Sequence, residues 1–192
     1  MSIVKRITNV VLATIIGITS LISVSTVNAK AAGIDKALNK YSDIIKKDEQ
    51  EQGLKKKVSL IYLDNDSIPE MVISNDDSYD QAQPEVFTYH NGKVSSIFLA
   101  DYAGGTCYAK DLKYVKKKGY LYLTSEHRDI AHIFIKLKSG KFSEIKYVDG
   151  SNTSEVKKYK NKYAKGSTKV KMYDSLEAAR KKLKTKSSAK SR

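Results

Sequence analysis

Between Tyr62 and Ile73 the chain reads Tyr-Leu-Asp-Asn-Asp-Ser-Ile-Pro-Glu-Met-Val-Ile. Asp64 and Asp66 alternate along the backbone and Glu70 follows four residues later. That spacing lets three carboxylates converge from one tight loop on a hard cation such as Ca2+, which makes them the candidate metal ligands. The same stretch also reads as an ordinary reversal, with Asp64 to Ser67 forming a turn and Pro69 stiffening the start of the next strand. Other reactive patterns are absent. His127 and His132 are five residues apart, which on a strand puts them on opposite faces, and no His-Glu-x-x-His or Gly-x-Ser-x-Gly sequence occurs. Ser-x-x-Lys occurs four times, but 21 Ser and 31 Lys in 192 residues give about three by chance, so it carries no information. Gly104-Gly105 lacks the Lys of a phosphate loop, and Cys107 has no evident base beside it and reads as a small space-filler. No catalytic residue is assigned.

Charge is distributed unevenly. Residues 31–110 carry 9 Lys against 13 Asp and Glu, whereas residues 111–192 carry 23 Lys and Arg against 8 acids. No Lys or Arg lies between Val58 and Gly92, and seven acids do. Such a segment suits a hard cation, a basic partner, or simply a solvated acidic surface. Towards the C-terminus Lys157, Lys158, Lys160, Lys162 and Lys165 are interleaved with Tyr159 and Tyr163, a candidate site for polyanions; a solvated Lys-rich face is the plain alternative.

The acidic loop resembles the Asp-x-Asp-x-Asp-Gly-x-x-Asp/Glu loops of FG-GAP and related calcium-binding β repeats, over about a dozen residues. It is also similar to a Tyr-Leu-Asp-x-Asp-x-Ile-Pro-Glu segment of small secreted proteins of Gram-positive bacteria. The resemblance implies Asp64, Asp66 and Glu70 as Ca2+ ligands. Two positions depart from it: Tyr62 stands where the first acid belongs and Ser67 where the turn glycine belongs. Both changes lower the affinity expected for calcium.

The elements that must position these residues follow from periodicity. Ile34, Leu38, Tyr41, Ile44 and Ile45 recur at helical spacing, which predicts a helix from 34 to 52 closed by Gly53. From Lys57 onward the pattern is short β runs: 58–63, 71–74, 86–89, 94–100, 112–115, 120–125, 130–137 and 142–148. Asn91-Gly92 predicts a type I′ hairpin, and Lys118-Gly119 and Ser139-Gly140 predict two more. The alternation in 120–124 and 133–138 predicts one buried and one wet sheet face. Asp174 with Glu177 forms a capping box that predicts a second helix over 175–184. The fold class is therefore α+β, an antiparallel meander of about seven or eight strands with a helix at each end.

At the N-terminus, Lys5 and Arg6 precede an apolar run from Val10 to Ile22 and small residues at Ala29 and Ala31, the three parts of a cleavable export signal. The predicted organisation is a signal peptide over 1–31, one domain over 32–184 and a disordered basic tail over 185–192. One cysteine excludes an internal disulfide, so an exported fold must rest on packing, with a bound ion as an optional addition. No later apolar stretch is long enough to cross a membrane. The function expected is that of a secreted, non-catalytic interaction module, associated by charge with anionic cell-wall polymers or a membrane surface. A small secreted hydrolase using carboxylates such as Glu70 and Asp80 is the alternative. Export ranks nucleic acid below envelope polyanions as a partner.

Overall fold

The computed structural model describes residues 31–75, 83–99, 107–125 and 130–188, excepting the side chains of 110 and 184–188. The export signal, Asp80, Gly104, Gly105 and His127 lie outside these residues. The architecture is α+β. Helix α1 occupies 31–52 and ends at Gly53, whose φ of 66° is the left-handed conformation of a helix C-terminus. Four strands follow, β1 (Lys56–Ile61), β2 (Glu70–Asn75), β3 (Glu85–His90) and β4 (Lys93–Phe98), and pair in that order as one antiparallel sheet. A second sheet contains β5 (Lys113–Val115), β6 (Tyr120–Ser125), β7 (Ala131–Lys138), β8 (Lys141–Asp149) and β9 (Thr168–Lys169), in the order β8-β7-β6-β5-β9. Helix α2 (Thr153–Tyr159) continues into a π-helical turn (Lys160–Ala164), and α3 (Leu176–Ser188) closes the chain.

The expected single meander is thus divided. Strands follow one another within each sheet, but nine strands among the described residues form two sheets, and β9 joins the edge of β5 from far along the chain. The Asn91-Gly92 turn has φ of 51° and 81°, and Ser139-Gly140 has 50° and 70°, both type I′ as expected. Between β5 and β6 the turn is longer, spanning 116–119, with positive φ at Lys117 and Gly119.

Side-chain alternation sorts the residues into three apolar layers. Ile61, Val72, Val86 and Ile97 of the first sheet face Leu121, Leu123, Ile133, Ile135 and Leu137 of the second, and Cys107 and Leu112 fill the same layer. Burial and Asp111 push the Cys107 thiol up to about 12, so it behaves as an apolar filler. On the outer face of the first sheet, Val58, Leu60, Met71, Ile73, Phe87 and Tyr89 pack under Ala37, Leu38 and Tyr41 of α1 and Ala179 of α3. On the outer face of the second, Tyr122, Phe134 and Val148 lie beneath Val156, Tyr159 and Tyr163.

That third layer corrects the expectation of a wet face on β6 and β7. Phe134 and Tyr122 alternate with core residues as a half-buried strand would have them, yet α2 and its π-turn cover them, so both faces are buried. Helix α2 itself was not foreseen. Its signal was present in the N-cap Asn152, whose side-chain oxygen accepts from Glu155 N at 3.1 Å and whose side-chain amide donates to the Glu155 carboxylate at 3.3 Å. At α3 the cap is Ser175, whose hydroxyl accepts from Ala178 N at 3.2 Å, while Asp174 instead pairs with Lys57 at 2.6 Å. The helix runs through Ser188, so residues 185–188 of the expected disordered tail are helical.

Burial of both faces has a measurable consequence. Phe134 has no exposed surface, so Phe134→Ala should destabilise the fold by about 3–5 kcal/mol in urea unfolding. A wet outer face would give a loss within about 0.5 kcal/mol.

Candidate functional site

The loop between β1 and β2 brings the three predicted acids together. One carboxylate oxygen from each of Asp64, Asp66 and Glu70 lies within 4.8 Å of the others. The backbone is shaped by its own side chains: Asp64 Oδ1 accepts from Asp66 N at 3.0 Å and Asp66 Oδ1 accepts from Ile68 N at 2.8 Å, two successive Asx turns. Ser67 has φ of 75°. The sharp turn is therefore made without glycine, at the steric cost of a left-handed serine.

Glu70 is the unusual member. It is fully buried where the first sheet meets the inter-sheet layer, and its Oε2 accepts from Leu63 N at 2.8 Å, closing the loop on itself. Its Oε1 accepts from Thr88 Oγ1 at 3.3 Å. Burial, and then the charges of Asp64 and Asp66, push its carboxyl up to about 8, despite the stabilising Leu63 hydrogen bond. Asp66 is held up to about 6, by desolvation and by Asp64, with His90 acting in the opposite sense. The His90 ring lies 3.9 Å from Asp66 Oδ2. Gly140 permits that placement, since a Cβ there would lie 2.5 Å from the His90 Cβ. On the helix side Tyr41 donates to Pro69 O at 3.1 Å, fixing the residue before Glu70. Tyr62 does not join the acids: it lines a cleft on the other side of the segment, with Lys116 over its ring at 5.9 Å.

The lysine-rich segment forms a second site, on the outer face of the second sheet. Tyr122, Phe134, Tyr159 and Tyr163 form a continuous aromatic stack with centroids 5.0–6.4 Å apart, and Tyr120 meets Tyr163 edge-on at 5.2 Å. Lysines ring this stack. Lys160 and Lys113 each lie 5.5 Å from the Tyr122 ring, Lys158 lies 5.8 Å from Tyr159, Lys162 lies 5.0 Å from Tyr163, and Lys136 lies 3.9 Å from Tyr120. Lys157 and Lys160 border an open depression of about 390 Å³ with His132 in its wall. Lys165 stands at the C-terminal end of the π-turn and is not part of that lining.

No protein-family model, curated protein or solved structure matches the chain. Sequence reading found Lys157 to Lys162 but missed Lys113, Lys136, Tyr122 and His132, which come to the same face only through strand pairing. Thr124 Oγ1 donates to Tyr122 Oη at 3.3 Å, and the same phenol is hydrogen-bonded to His132 Nδ1 at 2.7 Å. Desolvation, then Lys160 and Lys113, hold His132 below its ordinary value, so at neutral pH the depression draws its charge from lysine.

The acidic loop makes two predictions. In metal-free protein, folded Glu70 keeps a proton that the unfolded chain loses above its ordinary 4.5, so its contribution to stability is complete below 4.5 and is lost as pH rises to about 8. Urea unfolding in EGTA should show stability falling with a slope approaching about 1.4 kcal/mol per pH unit near the middle of that window, and Glu70→Gln should flatten it. A flat wild-type profile would exclude a protonated Glu70. Ser67→Gly relieves the left-handed serine and should raise stability by about 0.5–1 kcal/mol in the same assay.

Proposed function

We propose that this protein is an exported, non-catalytic binding module that holds an anionic phosphodiester polymer of the cell envelope, or the anionic membrane surface, on its lysine–tyrosine face. The observation that supports it best is the depression between Lys157 and Lys160, bordered by His132 and set in a ring of lysines spread over aromatic rings. Lysine point charges raise local anion concentration, and the aromatic stack beneath them supplies a rigid platform. Glu155 at the start of α2 is paired with Lys146 at 3.2 Å.

The acidic loop takes Ca2+ in this reading, as a structural ion. Asp66 and Glu70, both with raised proton affinity, converge with Asp64, and this crowding of carboxylates is relieved equally by protons or by a hard cation. Because a metal ligand must be ionised, Ca2+ binding displaces the Glu70 proton and strengthens as pH rises towards 8. The hydrolase alternative draws less support. Glu70 is sealed from solvent, so a polymer has no access to its carboxyl.

The test is binding of short poly(glycerol phosphate) at several salt concentrations. Affinity should fall linearly with log salt, and Lys157→Glu with Lys160→Glu should weaken it at least about tenfold and lower the slope by about two. Equal affinity in the double variant, or binding indifferent to salt, would remove this face from the reading.

A further inference from the structure

A cleft of about 430 Å³ opens where the edge of the first sheet approaches the edge of the second, roofed by α3. Its walls differ sharply in chemistry. The floor is aliphatic, with the partly buried Ile34 of α1 and Leu183 of α3 beside Leu60 of β1. The rim carries Lys116 and Lys117 from the β5–β6 turn, Lys169 and Lys171 around β9, and Lys182 of α3, all exposed. Among the described residues no Asp or Glu lines it. Tyr62 and Tyr114, both with phenols held above their ordinary value by burial, add hydroxyl donors between floor and rim. An apolar trough of this size under five ammonium groups is complementary to a small molecule that is aliphatic along its length and anionic at one end.

The backbone narrows the choice of occupant. An antiparallel edge presents N–H and C=O outward only at every second residue. On β1 that edge is already paired at Val58, which exchanges both bonds with Tyr173 at 2.8 Å, and beyond the strand Tyr62 O accepts from Lys117 N at 3.0 Å and Leu63 O from Gly119 N at 2.7 Å. Only Leu60 remains between them, too short an edge for an extended peptide to add as a strand. We infer that the cleft between β1, β9 and α3 binds a single-chain anionic amphiphile, its aliphatic chain on Ile34, Leu60 and Leu183 and its phosphate or carboxylate head among Lys116, Lys169 and Lys171. This site is separate from the lysine–tyrosine face.

The experiment is calorimetric titration of the purified protein with octyl and decyl phosphate below their micelle concentrations. One saturable site is expected, with binding about fifteenfold tighter for decyl than for octyl, since each of the two added CH2 groups is worth about fourfold. Lys169→Glu with Lys171→Glu should weaken it at least tenfold. Leu183→Trp, which fills the trough and adds the chain's first Trp, should weaken it equally while leaving the far-ultraviolet dichroism unchanged. Lys157→Glu with Lys160→Glu should leave it intact, so failure here and failure of the polymer reading are distinguishable. If charge reversal unfolds the chain, glutamine at 169 and 171 is substituted and read against Leu183→Trp. Inorganic phosphate competing as well as decyl phosphate would reduce the site to a simple anion site. Decyl glucoside binding as tightly would show an apolar groove indifferent to charge. Displacement by an acidic peptide with higher affinity would assign the cleft to a protein partner, and absence of saturable binding would overturn the inference outright.

Discussion

The apolar layer between the two sheets is the constraint from which the other features follow. With one cysteine, buried and unpaired, the chain has no covalent staple, so Ile61, Val72, Val86 and Ile97 against Leu121, Leu123, Ile133, Ile135 and Leu137 must supply most of the cohesion. Each such side chain is worth about 1.5–3 kcal/mol on full burial, against an ordering cost of similar total size. Once the inner faces are committed to each other, the outer faces have to be covered separately. Helices α1 and α3 cover one and α2 with its π-turn covers the other, which is why a chain of this length needs helices on both sides of the paired sheets.

The same layer explains the chemistry of Glu70. Strand alternation sends Val72 and Val86 inward, and it sends Glu70 and Thr88 the same way. A carboxyl at the end of an apolar layer is costly to ionise, and the two neighbouring aspartates add to that cost. What it gains is the Leu63 N–H, a backbone donor that the tight loop would otherwise leave without a partner. The loop thus trades ease of ionisation for closure. Its turn chemistry, two Asx turns and a left-handed Ser67, would serve a structural reversal or a cation equally well.

Local signals were legible in the sequence and long-range ones were not. Helix α1, the Asn91-Gly92 and Ser139-Gly140 hairpins and nearly every strand follow from periodicity and turn residues, because those depend on neighbours a few positions away. The convergence of Asp64, Asp66 and Glu70 was legible for the same reason, since all three sit on one short loop. The division into two sheets was not, because alternation gives the facing of each strand but not its partner. Tyr122 and Phe134 read as half-wet positions because the helix that covers them lies well beyond both strands, at Thr153–Tyr159, and contributes a single buried aliphatic, Val156. Strand β9 is two residues long, below any periodic signal, and only pairing with Lys113 and Tyr114 defines it.

Charge segregation follows from this geometry rather than from composition alone. The first sheet supplies the acidic loop, and the second sheet with its covering helix brings Lys113, Lys136, Lys157 and Lys160 to one face. Tyr62 marks the boundary: it turns towards Lys116 and the cleft, while Asp64, two residues on, joins the acids. A segment that presents basic-lined and acid-lined surfaces within three residues separates the two fields by the thickness of its own backbone. Screening at physiological ionic strength acts over about 8 Å, so solvent-exposed parts of the two fields are damped, whereas the desolvated Glu70 feels its neighbours nearly in full. Proton or cation occupancy at the loop is therefore governed locally, and the lysine surfaces are left to attract anions over longer range by their net charge.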